Sequence, residues 1–286
     1  LIMHAIYKGE ELSFPFISLI PSKVQGKVPA FVFINFAGQI AEKYYPAEEI
    51  TDRGYAVFSV NYREISNDDD NFESGIAKVL VKNRTDSNAP GKITVWAWAL
   101  MRIIDYVETL EEIDMDYLAV TGHSRLGKTT LLTAAHDERV KFACPNDSGN
   151  SGDAIARGTR GETVADITKR FPFWFCPKYQ TYAGRENEMP FDQHFLLSLI
   201  VPRHIAVGTA EEDLWADPKN QFLSLALVGE VYKLYGMQGL IHGEEIPEAR
   251  CVLQEGDASF HTRYGTHYFS REDWQNYFKF RYRHGV

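Results

Sequence analysis

Residues 120–132, Val-Thr-Gly-His-Ser-Arg-Leu-Gly-Lys-Thr-Thr-Leu-Leu, carry two chemistries in one run. Gly122 to Thr129 fit the G-x-x-x-x-G-K-[ST] spacing of a P-loop, in which backbone N–H groups and a lysine cradle phosphates. The same residues set Ser124 behind Gly122 at the end of an apolar run, as in the nucleophile elbow of a serine hydrolase. Both chemistries need a strand before and a helix after. A phosphate site also needs a Mg²⁺-holding acid at the end of a second apolar strand. Asp147 and Asp213 are the candidates, but neither sits directly on such an end. A P-loop normally follows the first strand of its domain, whereas here two strand-like runs and a long helical run come first.

The hydrolase chemistry uses more of the chain. It requires a serine, then an acid, then a histidine, in that order. Asp147 and Asp213 follow strand-like runs, and His267 stands in Gly265-Thr-His267 just before the last helical run. The acid orients the histidine and stabilises its imidazolium. Asp213 is slightly preferred for that task, with Asp147 kept beside it and Glu211 and Glu212 as neighbours able to take it. If two acids reach His267, losing either alone costs less than losing a sole partner. His261 is the rival base, and reads better as a pocket wall or a satisfied structural histidine. His123 is expected to point back into the fold.

The second elbow glycine, Gly127, stands one place late, so Arg125 directly follows Ser124. The backbone N–H at that position donates to the oxyanion in such enzymes. The guanidinium of Arg125 can add a charged donor, an effect worth about 3 kcal/mol where the transition state turns negative. The displaced glycine is expected to give Arg125 its room.

Composition narrows the classes further. With 286 residues, 44% of them apolar, the chain has ample material for a core. A net charge of −9 argues against a nucleic-acid backbone as partner. No apolar run reaches the roughly 20 residues that span a bilayer, so no membrane span is expected. Cys144, Cys176 and Cys251 form no C-x-x-C pair, so a zinc knuckle is not expected. The start of the chain has no charged and apolar leader pattern.

The elements that must position these residues alternate. Residues 28–36, 55–61, 117–121, 140–144 and 204–207 read as strands. Residues 94–110, the stretch after the elbow through about His136, residues 218–235 and residues 270–281 read as helices. Residues 67–71, Asn-Asp-Asp-Asp-Asn, read as a solvated loop. Strands alternating with helices imply an α/β fold, a three-layer sandwich about a mostly parallel sheet. Residues 1–286 are read as a single catalytic domain. Residues 149–201, rich in Gly, Arg and aromatics, are read as an insertion over the cleft. Asp192 and His194 are expected to anchor it.

With these residues assembled, a family resemblance follows. Gly122-His-Ser-Arg-Leu-Gly-Lys128 resembles the G-[CH]-S-R-x-G-K motif of the glucuronoyl esterases, carbohydrate esterase family 15, bacterial branch. Gly91-Lys-Ile-Thr-Val-Trp-Ala-Trp98, Asn146-Asp-Ser-Gly149, Gly161-Glu-Thr163 and Phe171-Pro-Phe-Trp-Phe175 are similar to family blocks, in family order. So are Pro190-Phe-Asp-Gln-His194, Ala210-Glu-Glu-Asp-Leu-Trp-Ala-Asp-Pro218 and Gly265-Thr-His267. The resemblance implies an α/β-hydrolase fold and cleavage of esters of glucuronic or 4-O-methyl-glucuronic acid, such as those joining glucuronoxylan to lignin alcohols. It implies Ser124 as nucleophile, His267 as base and Arg125 at the oxyanion, with Lys128, Glu162 and Trp215 holding the sugar. Lys128 and Glu162 are expected to meet ring hydroxyls from opposite sides. It implies no cofactor and no metal. The substrate is then a uronate ester, small or oligosaccharide, the expected compartment extracellular or periplasmic, and the expected state a monomer. An acetyl xylan esterase on the same fold is the alternative within the enzyme class; the phosphate-binding reading is the alternative outside it.

Overall fold

Buried apolar runs and amphipathic helices settle here into one large sheet with helices on both faces. The structure is a computed structural model and describes residues 1–286 except 41, 244, 246, 248 and 249. Among the described residues the strands are β1 (Ile2–Tyr7), β2 (Glu10–Pro15), β3 (Ile17–Leu19), β4 (Val28–Asn35), β5 (Ala56–Asn61), β6 (Ile113–His123), β7 (Phe142–Asn146), β8 (His204–Ala210), β9 (Val252–Leu253) and β10 (Ala258–Arg263). The helices are α1 (Ala47–Asp52), α2 (Tyr62–Ile65), α3 (Ala77–Leu80), α4 (Lys92–Glu108), α5 (Arg125–His136), α6 (Val164–Arg170), α7 (Gln193–Ser198), α8 (Pro218–Leu234) and α9 (Arg271–Arg283). None is long and apolar enough to cross a membrane.

β1 and β2 pair as a separate hairpin, and the other strands form an eight-stranded sheet in the order β3-β5-β4-β6-β7-β8-β10-β9. Neighbours from β5 through β10 run parallel, while β3 and β9 lie antiparallel at the two edges. Side chains alternate across a strand, and on β4 this splits the core in two. Ala30, Val32 and Ile34 join one cluster with α4, α5 and α8, whereas Phe31 and Phe33 join the other with α1 and α9. Ala206 on β8 is in the second cluster, while Ile205 and Val207 are in the first. Both sheet faces are therefore covered, as a parallel sheet requires, and the expected three-layer α/β sandwich is the one found.

Several elements were not read from the sequence. The hairpin β1–β2, helix α1 and strand β10 are the main ones. β10 is the polar run Ala-Ser-Phe-His-Thr-Arg, yet all six residues are buried. Its His261 and Arg263 are partnered internally, His261 Nε2 meeting Asp273 Oδ1 at 2.9 Å and Arg263 Nε donating to Asp273 Oδ2 at 2.8 Å. Burying polar groups is tolerable only with such partners, and no local period announces them.

Residues between β7 and β8 contain α6, α7 and two short 3₁₀ turns, Pro177–Tyr182 and Glu186–Glu188. Asp192 ties this stretch together: it caps α7 through Gln193 N at 2.8 Å and accepts Ala156 N at 2.8 Å. His194 has no such tie, since its Nδ1 finds no partner among the described residues. The aromatic run lies on the start of α4, where Lys92 N donates to Phe173 O at 2.8 Å. A Cβ at Gly91 would fall 2.1 Å from Trp174 O, so glycine alone permits that approach.

Gly208 is a second position closed to a side chain. A Cβ there would lie 2.6 Å from His261 Cε1 and 2.7 Å from the Tyr277 hydroxyl, both buried. Overpacking of this kind costs about 1–3 kcal/mol. Gly208→Ala is therefore expected to lower the thermal midpoint of unfolding measured by circular dichroism; an unchanged midpoint would show that the β8–β10 contact is loose.

Candidate active site

The carboxyl ends of β6, β7, β8 and β10 converge on one edge of the sheet, where ligands of open α/β sheets bind. β6 ends in His123, and Ser124 follows with φ 60° and ψ −126° before α5 begins. A non-glycine residue with such angles is strained by about 1–3 kcal/mol, and the surroundings hold it there. Ser124 N donates to Asn146 O at 2.8 Å, and Ser124 O accepts Gly127 N at 2.9 Å. A Cβ at Gly127 would meet the Ser148 Cβ at 2.9 Å and Asn146 O at 3.0 Å. The displaced glycine thus serves the crossing of α5 over the end of β7 and not, as expected, the room around Arg125.

His267 lies beyond β10 and Asp213 beyond β8. The two strand ends are bound side by side, Glu211 N donating to Arg263 O at 2.9 Å and Glu212 N to Gly265 O at 3.0 Å. That pairing brings His267 Nδ1 to 2.5 Å from Asp213 Oδ2, while His267 Nε2 stands 2.9 Å from Ser124 Oγ. Glu211 and Glu212 are exposed, and neither side chain forms a hydrogen bond to the histidine. The order acid–imidazole–hydroxyl is the geometry of general-base activation of an alcohol nucleophile. His267 is 45% exposed and Asp213 5%, so the hydroxyl end faces solvent and the acid end is dry.

Asp147 is close by but engaged elsewhere. Its Oδ1 accepts Thr209 Oγ1 and Ala210 N, each at 2.9 Å, and its Oδ2 meets Arg263 Nη2 at 3.4 Å. It makes no hydrogen bond to His267 among the described residues. Burial, then the Asp213 and Asp273 carboxylates, push its pKa well above the usual carboxylate range, with Arg263 opposing. The structure thus parts the two acids that the sequence left open, putting Asp213 on the imidazole and Asp147 behind it. Arg263, missed in the sequence, bridges Asp147 and Asp273.

His123 does point inward, with Nδ1 2.7 Å from Asn146 Oδ1 and its ring stacked on Tyr44 and Phe269. Burial and the neighbouring His267 lower its pKa to about 3, so it is neutral there. His261, the rival base, is fully buried on β10 and bound to Asp273.

Arg125 opens α5, and the first N–H groups of a helix have no intrahelical acceptor. Its guanidinium Nη1 is bound by Asp68, and its Cζ lies 4.7 Å from the Trp174 ring centroid and 5.2 Å from that of Phe171. Trp174 Nε1 donates to the other oxygen of Asp68 at 2.7 Å. Arg125 Nε is buried with no partner among the described residues. Residues 67–71 do form an exposed loop, but it is anchored to the site: Asp68 orients the arginine, and Lys92 Nζ reaches Asn71 O at 2.8 Å. A run of acids gave no local hint of this, because the arginine lies 57 residues away.

Lys128, Glu162 and Trp215 stand together. Lys128 Nζ is bound by Ser148 O and, at 2.6 Å, by Asn150 O, and lies 4.0 Å from Glu162 Oε2. Trp215 Nε1 donates to Glu162 Oε1 at 3.3 Å, with 47% of the residue exposed. Lys128 and Glu162 are thus neighbours on one side of the site, 4.0 Å apart. Two of the three ammonium protons are taken by carbonyls, a burial that lowers the lysine pKa against the pull of Glu162 and Asp153. A P-loop lysine would extend toward phosphate; this one is turned into the 148–150 turn.

Known esterases resemble this chain over most of its length. Residues 3–236 match the family described as glucuronyl esterase, fungi. Carbohydrate esterase MZ0003, from an unknown prokaryotic organism, is 36% identical over 97% of this chain and 64% of its own length. The 4-O-methyl-glucuronoyl methylesterase of Podospora anserina is 31% identical over 78% of this chain and 47% of its own. A promiscuous CE15 esterase from a marine bacterial metagenome superimposes with a TM-score of 0.85 at 30% identity, covering 98% of this chain and 79% of that one. The chain thus spans between about half and two thirds of the length of these curated relatives.

The two acids can be told apart by labelling. Covalent capture of Ser124 by a fluorophosphonate probe is expected to slow by about 10³–10⁴-fold in Asp213→Asn, as loss of an orienting acid does, and by less than about tenfold in Asp147→Asn. Equal slowing in both would mean that His267 depends on both carboxylates.

Proposed function

Because the chain belongs to the glucuronoyl esterase family, we propose that it is a serine carboxylic-ester hydrolase cleaving esters of glucuronic acid or its 4-O-methyl ether. The observation that carries the reading is the continuous chain Asp213–His267–Ser124, with spacings of 2.5 and 2.9 Å, at the N-terminus of α5. His267 Nε2 takes the Ser124 hydroxyl proton as Oγ bonds to the carboxyl carbon of the ester. The carbonyl oxygen becomes an oxyanion, met by the Arg125 backbone N–H and by its unpartnered Nε–H. Asp68, Trp174 and Phe171 hold that guanidinium still, so little reorganisation accompanies the developing charge. Collapse of the intermediate expels the alcohol, which takes the proton from His267, and leaves an acyl-serine. Water then attacks by the same route, releasing the uronate and restoring Ser124.

Trp215 offers an exposed flat face for a sugar ring, and Glu162 beside it a carboxylate for ring hydroxyls. Lys128 has one proton left for the same purpose, and its charge favours a product carboxylate. Asp147 is assigned a supporting role: with Arg263 it fixes the strand ends that carry Asp213 and His267. We read residues 1–286 as one catalytic domain acting as a monomer on glucuronoxylan or lignin–carbohydrate material, outside the cell or in a periplasm.

Benzyl glucuronate is expected to release benzyl alcohol, with Ser124→Ala slower by on the order of 10⁶-fold. Methyl galacturonate and acetylated xylan are the comparison substrates. Turnover of acetyl esters without uronate esters would sink the substrate assignment and leave the serine mechanism standing. Retention of ATP and Mg²⁺ in equilibrium dialysis, lost in Lys128→Ala, would overturn both.

A further inference from the structure

At the opposite end of the sheet, three chain segments meet at side chains that the esterase chemistry does not use. His204 is the first residue of β8, Asp257 immediately precedes β10, and His284 follows the last turn of α9. One ligand-capable atom from each of the three lies within 4.8 Å of the other two. The rings of His204 and His284 stand 4.1 Å apart between centroids. Each ring also keeps one nitrogen on a backbone carbonyl of the same turn: His204 Nδ1 on Asp257 O at 3.1 Å and His284 Nε2 on Gly256 O at 3.3 Å. A ring that donates N–H to a carbonyl carries its lone pair on the other nitrogen, the arrangement that typically orients metal-binding histidines.

Asp257 completes the set. Its Oδ2 accepts Gln238 N at 3.0 Å, and its Oδ1 takes no hydrogen bond among the described residues. His204 is further fixed by stacking on Phe142 at 4.7 Å. Burial is the largest influence on both imidazoles and lowers the pKa of each, with His284 lowering that of His204 further and the Asp257 carboxylate opposing at both. All three residues are half-buried, open enough for an ion to enter.

We propose that His204, Asp257 and His284 bind a divalent transition-metal ion of the zinc class. Two imidazoles and one carboxylate suit such an ion, with water completing the coordination. Its position makes it structural: it would staple the end of α9 to the starts of β8 and β10, far from Ser124. The inference does not rest on the proposed esterase activity.

The test uses the whole chain, stripped with a chelator and titrated with Zn²⁺ calorimetrically and with Co²⁺ by visible absorption. Expected is saturable binding of one equivalent, with a thermal midpoint that rises with free Zn²⁺. Asp257→Asn and His284→Gln are each expected to weaken binding at least about tenfold. The rate of fluorophosphonate capture of Ser124 is expected to be the same with and without the ion. The second cluster able to hold a metal, Asp147, Asp213 and His267, is the control. Binding that survives Asp257→Asn and His284→Gln but is lost in Asp213→Asn overturns the proposal. So does the absence of a saturable equivalent on the folded wild-type chain, which needs no variant to be measured.

Discussion

The crossing of α5 over the end of β7 is the constraint on which the catalytic edge depends. Gly127 lets the helix approach Ser148 and Asn146 so closely that no Cβ would fit between them. At that separation Asn146 O can take the Ser124 N–H, and the serine is held in a conformation that its own backbone disfavours. Three consequences follow from one contact. The Ser124 hydroxyl is lifted out of the sheet toward His267, the first helical N–H groups face the same space, and Lys128 is driven into the carbonyls of the 148–150 turn. A larger residue at position 127 would disturb all three together.

A buried polar chain supports this edge from behind. Asp147, Arg263, Asp273 and His261 are each nearly inaccessible to solvent and are joined by hydrogen bonds or ion pairs. Burial opposes the Arg263 charge, but Asp273 and then Asp147 more than offset it and raise its pKa. Partial removal of such a network leaves an unpaired buried charge, which is strongly destabilising. The network therefore fixes β7, β8, β10 and α9 relative to one another. That relation sets the distance between Asp213 and His267, which come from two different strand ends.

The residues between β7 and β8 act on the opposite flank. Trp174 reaches Arg125 because Gly91 allows the aromatic run to lie against the start of α4. Its indole N–H and the arginine share Asp68, one donor to each carboxylate oxygen. A guanidinium held by both a carboxylate and aromatic faces loses rotamer freedom before any substrate arrives. Its unpartnered Nε is then aimed by contacts outside the helix that carries it.

What depends on local order was legible in the order of residues along the chain. The alternation of strand-like and helical runs specified a sheet covered on both faces, and Gly122-His-Ser124 at a strand end specified an elbow. The succession of serine, acid and histidine followed from chain order, and the family from motif blocks in register. Tertiary structure decided everything that joins distant segments. Only the pairing of the β8 and β10 ends put Asp213, and not Asp147, on His267. Only the folded aromatic run made Asp68 a partner of Arg125, and only internal ion pairs made a strand of the polar run 258–263. The physical reason is common to all three: a polar side chain's role is set by the partner it meets on burial, and that partner lies tens to more than a hundred residues away.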